Sequence, residues 1–209
     1  MTRDPSLLCA GRKGRIAAFG TLAETLRRGP ASPKCSAMSI RPILIHPDPR
    51  LRKVVPAIPQ VDDKVRKLAE DMLQTMYEAP GIGLAAPQIG AMQRIFVMGC
   101  DRDAPGDHPT VCINPEITWA SDEMVTSEEG CLSIPDYYAE VDRNERIRLA
   151  FTDLDGNRRE EDYDGQWAIC AQHELDHLDG KLFIDYLSAV RRQMVTQKMK
   201  KLKKERARV

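Results

Sequence analysis

The chain has 209 residues, 42% of them hydrophobic, enough for one domain with a sizeable core. Its net charge of zero is a cancellation: residues 1–38 carry seven basic and two acidic side chains, 39–190 carry 15 and 28, and 191–209 carry nine and one. No apolar run approaches the length of a transmembrane helix, so no membrane role is expected, and six irregularly spaced cysteines argue for a reducing compartment rather than a disulfide framework.

Residues 1–38 stand apart from the rest. They are Arg-rich and acid-poor, as an organelle transit peptide would be, but they lack a sustained amphipathic helix. The favoured reading is an upstream start codon ahead of a true beginning near Met38, with a transit peptide and an organellar location as the alternative. Mass spectrometry of the natural N-terminus separates the two, and a mature product retaining Met1 overturns both. The expected organisation is then an extension over 1–38, a catalytic domain over 39–190 and a basic tail over 191–209.

A first helix is expected over residues 61–77. Val61, Val65, Leu68, Ala69, Met72, Leu73 and Met76 recur at i, i+3, i+4 spacing, and Asp62 or Asp63 can serve its amino end. Pro80 and Gly81 end it. The stretch 81–90 reads as a Gly-rich loop, but it has no Lys-Ser/Thr and so is not a phosphate loop. Its glycines are suited to bringing backbone and Gln88 against a ligand. Strands are expected over 94–98, 111–113, 139–141 and 147–151, separated by turn signals such as Asp155-Gly156-Asn157. Cys9, Cys35, Cys100 and Cys112 read as buried or incidental thiols.

The next helix carries the chemistry. Residues 172–180 contain H-E-x-x-H, with His173 and His177 on one helix face a turn apart, so that both imidazoles can reach one ion. Glu174 projects about 100° from His173, beside the ion, where it can take a proton from water. Asp164 is the expected N-cap. Trp167, Ala168, Ala171, Leu175 and Leu178 supply a packing face, and Gly180 the stop. With only four histidines in the chain, two at this spacing around a Glu point to a metal site rather than an ordinary polar helix.

A catalytic site usually has three protein ligands and an open position. Phe183 stands where a metzincin would have its third His, and Glu205, the only Glu after the motif, lies in the basic tail. His46 and His108 read as loop residues in Pro-rich surroundings. Cys170 shares the helix face, but it is seven residues from His177, about 10.5 Å along the axis, too far for one ion. Cys131, in the turn-like stretch 129–135 after Gly130, is the better candidate.

Three segments, Gly81-Ile82-Gly83-Leu84-Ala85-Ala86-Pro87-Gln88-Ile89-Gly90, Glu129-Gly130-Cys131-Leu132-Ser133 and Gln172-His173-Glu174-Leu175-Asp176-His177, resemble in order and spacing the signature motifs of peptide deformylase. The resemblance runs from about Ser39 to the end of the chain. It implies an α+β fold, largely antiparallel sheet wrapped on the motif helix, and removal of formate from formylmethionine at the start of newly made, N-formylmethionyl nascent peptides. It also implies that Gln88 donates a hydrogen bond to the formyl oxygen, that the Leu132 backbone N–H does the same, and that Gly83 offers its backbone to the substrate. One thiolate and two imidazoles suit Zn, Fe or Ni. The resemblance favours Fe2+, with Zn2+ or Ni2+ as substitutes. For the methionine side chain, Ile82, Ile169 and Cys170 are the candidate apolar wall. Many bacterial members have an Arg where this chain has Tyr138, which puts downstream substrate contacts and catalytic rate in doubt rather than the reaction class.

The tail begins near Ser188. Val190, Met194, Val195, Met199 and Leu202 form a narrow apolar stripe, and Arg191, Arg192, Lys198, Lys200, Lys201, Lys203 and Lys204 cover much of the remainder. A solvated basic helix and an electrostatic dock on ribosomal RNA both fit this pattern, and in some deformylases the basic C-terminal helix docks there. The deformylase reading places the protein in the bacterial cytoplasm. A zinc endopeptidase would share Glu174 but should lack the Cys131 motif, a purely RNA-binding protein leaves the three motifs unexplained, and a closed structural metal site lacks a fourth ligand.

Overall fold

The computed structural model describes residues 39–100 and 109–206. The N-terminal extension, Cys9, Cys35 and His108 therefore lie outside the described residues. What is described is an α+β arrangement built in layers on an antiparallel sheet.

Helix α1 (Asp63–Glu78) starts where the sequence suggests. The Asp62 carboxylate accepts from the backbone N–H groups of Lys64 and Val65 at 3.0 and 2.9 Å, satisfying two of the first turn's orphan donors. Its buried stripe of Val65, Ala69, Met72 and Met76 lies on one face of the sheet. That sheet has the order β1-β2-β3-β6-β7, with β1 (Gly83–Ala85), β2 (Ile95–Met98), β3 (Thr110–Ala120), β6 (Arg146–Thr152) and β7 (Arg158–Asp164). β2 is buried on both sides, and its period of two sorts the side chains. Ile95 and Val97 join the cluster under α1, whereas Phe96 and Met98 face helix α2 (Gly165–Leu178) on the other side.

A second sheet is the hairpin of β4 (Met124–Cys131) and β5 (Ile134–Asn144), in register from Met124 opposite Asn144 to Gly130 opposite Tyr138. Its apolar side, with Ile134 and Val141, shares a third core cluster with Leu182, Phe183, Ile184, Val195 and Met199. The last two come from helix α3 (Ala189–Arg206), which starts after Ser188 as expected. The expected tail stripe is narrower than its sequence suggests. Val195 and Met199 are buried, but Val190 and Met194 lie on the opposite side of the helix and are 69% and 68% exposed.

Three further expectations change. The stretch 81–90 is not simply a loop: it contributes edge strand β1 and a 3-10 turn, Ala86–Ile89, because Gly83, Leu84 and Ala85 pair with Met98, Val97 and Phe96. Cys131 is the last residue of β4 rather than part of a long turn, and only Leu132 and Ser133 separate it from β5. Asp164 occupies the N-cap position of α2, but its side chain caps nothing; it is paired opposite Arg146 at the end of the β6–β7 ladder.

The end of α2 is fixed firmly. Gly180 (φ 71°) donates to the His177 carbonyl at 3.3 Å and Lys181 to the Asp176 carbonyl at 2.8 Å, the paired bonds of a Schellman ending. A Cβ on Gly180 would sit 2.7 Å from the Arg52 carbonyl oxygen, so glycine is needed for packing as well as for φ. The helix thus stops within one turn of His177.

Candidate metal centre and catalytic cavity

Two elements meet at the centre. α2 presents His173 and His177 with ring centroids 5.1 Å apart, and the end of β4 brings the Cys131 sulfur to 3.3 Å from His177 Nε2. One donor atom from each of the three lies within 4.8 Å of the other two. No other group of three His, Cys, Asp or Glu side chains among the described residues shares that closeness. Cys170 is turned elsewhere and donates to the Ile82 carbonyl at 3.6 Å. His46 is buried in a loop against α3, with its Nε2 at 3.0 Å from Thr196 Oγ1.

Around these donors the site is arranged for positive charge. Glu129 receives two hydrogen bonds from Arg143, at 2.7 and 3.1 Å, and lies 2.8 Å from His173 Nδ1. Burial alone would raise the Glu129 carboxyl, but His173 and Arg143 outweigh it and bring it down to about 2, so it is a carboxylate and His173 Nδ1 carries the proton. That leaves the Nε2 lone pair for the site. Burial lowers His173, but Cys131 and Glu129 more than offset it and raise its proton affinity well above the usual range. Burial, then His173 and Arg143, push His177 well below the ordinary range and keep it neutral. A carboxylate-held imidazole, a neutral imidazole and a thiol fit a divalent transition ion.

Arg143 has further partners. It donates to Asp176 at 2.6 Å and its guanidinium lies 4.6 Å from the centre of the Tyr186 ring, whose hydroxyl donates to Asp176 at 2.9 Å. Motif reading gave no role to this buried Glu129–Arg143–Asp176 network. Glu129 and Asp176 sit inside the quoted motifs, but Arg143 lies 14 residues after Glu129, near the end of β5, with no pattern to mark it.

Glu174 stands beside the donor set, 4% exposed, with its Oε2 buried and unpartnered among the described groups. Burial pushes its carboxyl up to about 7, against the opposing influence of His173. Gly83 makes room for it: a Cβ there would enter the van der Waals shell of the Glu174 carboxylate and come within 2.7 Å of the Cys170 sulfur. Gln88 is held from the other side. Its Oε1 accepts from the Ala85 N–H at 2.7 Å, which turns its NH2 toward Ser133 Oγ at 3.3 Å and the Cys131 sulfur at 3.6 Å. Leu132 follows Cys131 in the turn.

Cys131, His173, Glu174 and Glu129 border a cavity of about 670 Å³, with His177 buried behind them. Ile82, Gly83, Ile169 and Cys170 line it, as do Gln88 and Leu132. Tyr138 stands at its edge, 64% exposed, against Gly130, where a Cβ would come within 2.6 Å of the Tyr138 ring.

The chain is similar to known proteins over most of its length. A profile of the polypeptide deformylase family matches residues 40–193. The chain is 53% identical over 170 residues to a peptide deformylase of Rhodopseudomonas palustris strain TIE-1, covering 80% of this chain and 97% of that one. It is 50% identical over 164 residues to a peptide deformylase of Phenylobacterium zucineum, covering 78% and 97%. A crystal structure of the Legionella pneumophila peptide deformylase superimposes with a TM-score of 0.76 at 42% identity, covering 82% of this chain and 99% of that one. A peptide deformylase from Acinetobacter baumannii solved with Met-Ala-Ser bound gives 0.68 at 33% identity, covering 72% and 100%. The chain therefore belongs to the polypeptide deformylase family, as a metal-dependent hydrolase that removes the N-terminal formyl group from formylmethionine of newly synthesised polypeptides.

Proposed function

Starting from that membership, we propose that Cys131, His173 and His177 hold an Fe2+ ion, that Glu174 is the proton carrier, and that Gln88 and Leu132 position the formyl group. The observation that carries this reading is the convergence of the three donors within 4.8 Å, with the Glu174 carboxyl alongside. A bound ion supplies Lewis acidity, lowering the pKa of water and polarising the formyl oxygen.

The chain's own residues do the rest. Glu174, raised to about 7 by burial, accepts a proton from the attacking water at near-neutral pH and returns it to the departing amine nitrogen. The Gln88 NH2 and the Leu132 backbone N–H donate to the formyl oxygen as it gains charge. Glu129 fixes the His173 ring by accepting its Nδ1–H. Gly83 offers its backbone at the cavity edge, and Ile82, Ile169 and Cys170 form the apolar wall for the methionine side chain. Fe2+ is the reading for the native ion on the family resemblance alone, and Zn2+ or Ni2+ are substitutes because one thiolate and two imidazoles accept all three.

Residues 39–190 form the catalytic unit in this reading, and 191–209 are a tail seated on it through Val195 and Met199. The remaining faces of α3 display Arg191, Lys200, Lys201, Lys203 and Lys204 to solvent, which supports weak, salt-sensitive docking on the ribosome in the cytoplasm. Among the described residues no helix is long and apolar enough to cross a membrane. Because Val195 and Met199 are core residues, charge reversal at Lys200, Lys201, Lys203 and Lys204 tests docking more cleanly than deletion. Undiminished ribosome co-sedimentation in that variant removes the docking idea.

The reading as a whole is tested by formate release from formyl-Met-Ala-Ser with anaerobically prepared Fe2+ protein and its Cys131→Ala variant. Release by the parent, with loss of both bound iron and release in the variant, is expected. A variant that retains its iron contradicts the ligand assignment.

A further inference from the structure

Beside the catalytic cavity lies a second depression of about 330 Å³. Its apolar walls are Ile40, Ile43 and Ile45 from the segment leading into the fold, Ala79 at the end of α1, and Leu132 and Pro135 from the turn and strand after Cys131. Leu132 and Pro135 line both hollows, so the two are consecutive around one short turn of chain. Ile40 is 53% exposed, apolar surface held at the mouth of a concavity. The flanking charges, Arg41, Arg206 and Glu78, are of mixed sign, and Arg41 is already committed to Asp71 at 2.8 Å. Nothing in the depression selects for a charged ligand. Its lining selects for apolar side chains.

What reaches such a place follows from the geometry of the first cavity. A peptide with its formyl group at Glu174 and its first side chain on Ile82, Ile169 and Cys170 must lead its following residues out of the cavity. β1 is an edge strand, and its Gly83 lines the cavity together with Leu132, an arrangement that favours an extended chain. An extended chain advances roughly 3.3 Å per residue, so a tripeptide spans about 10 Å and residues from about the fourth onward run on past the cavity, beside which the depression shares Leu132 and Pro135 as its wall.

We propose that this depression is a downstream subsite that takes apolar side chains of the nascent polypeptide from about the fourth residue on. This rests on the deformylase reading. The gain comes from burying one or two apolar side chains, and it falls on KM, because the contacts are to substrate side chains that take no part in the reaction and are the same in the ground and transition states.

The test compares formyl-Met-Ala-Ser with formyl-Met-Ala-Ser-Leu-Leu-Leu and formyl-Met-Ala-Ser-Asp-Asp-Asp on the full-length, metal-loaded chain. The Leu peptide is expected to show a five- to tenfold higher kcat/KM than the tripeptide, through KM, and the Asp peptide no gain. The paired changes Ile40→Asp and Ala79→Arg should abolish the gain while leaving the tripeptide's kinetics unchanged. Equal kcat/KM for the Leu peptide and the tripeptide in the parent protein overturns the proposal, and so does a gain that survives both changes. No turnover of any of the three peptides would instead indict the deformylase reading itself. A second readout needs no catalysis: a photoreactive p-benzoylphenylalanine in place of Ile40 should cross-link the Leu hexapeptide. Cross-linking to residues 1–38 of the same chain, or to a second copy, would assign the depression to that occupant and reject the nascent chain.

Discussion

α1 and α2 cover opposite faces of the same sheet, and they bury opposite kinds of side chain. α1 buries mainly Val65, Ala69, Met72 and Met76, which need only to leave water. α2 buries Gln172, His173, Glu174 and His177 in its last two turns. Three of these four are pinned by specific partners: Gln172 bridges both backbone groups of Asn144, His173 meets Glu129, and His177 faces Cys131. Glu174 Oε2 and His177 Nδ1 have no partner among the described residues. α1 is held by area, whereas the end of α2 is held by partners, with one atom each of the proposed proton carrier and of a proposed metal ligand left unpaired.

The contrast can be broken from the catalytic side first. Arg143→Met leaves Glu129 and Asp176 buried without their counter-charge, and a stability loss of about 3–5 kcal/mol is expected in denaturant titration. The loosened His173 should also weaken metal affinity by about 10- to 100-fold, measured by competition with a chelator. On the scaffold side, Met72→Ala should cost about 2–5 kcal/mol through its cavity. Turnover per folded molecule should stay unchanged, and a fall in kcat would mean that α1 is more than scaffold.

Gly83→Ala sharpens the comparison without replacing a polar side chain. Its methyl meets the Glu174 carboxylate, so a roughly 100-fold loss of kcat/KM is expected, about 2.7 kcal/mol of barrier, with metal content retained. A smaller effect should come from α1's own buried carboxylate, Asp71. Burial opposes its ionisation, but hydrogen bonds from Lys67, Arg41 and Ser39 lower it to about 2 from an ordinary 3.8. The depressed value means that its contribution, at most about 2 kcal/mol, is complete above pH 4 and disappears as pH falls through 2. Thermal melts of the parent and Asp71→Asn should differ at pH 5 and converge near pH 2; a constant difference would deny the linkage.

How much of this was legible before the fold was known depended on where the determining partner lay. α1 was readable from its own spacing and Asp62, because helix period and N-cap are local. The expected strands over 94–98 and 147–151 became β2 and β6, since their apolar residues fill the core. β1 was hidden in a Gly-rich segment whose strand character comes from pairing with β2. β7 was hidden because Arg158, Arg159, Glu160, Glu161 and Asp162 offer no apolar face; the ladder to β6 and ion pairs such as Arg148–Asp162 accompany its strand form. At the site, His173, Glu174 and His177 were visible as a helical motif, and Cys131 by elimination and resemblance. Arg143 was invisible, because only the folding of β5 beside β4 brings it to Glu129.

The central claim is that the donors and the proton carrier are separate groups. It is tested most directly by measuring bound metal and formate release in one preparation of Glu174→Ala. The account predicts metal content equal to the parent's and formate release from formyl-Met-Ala-Ser reduced by about a hundredfold or more. Release at the parent's rate would contradict Glu174 as the proton carrier, and loss of the metal would contradict the separation of roles.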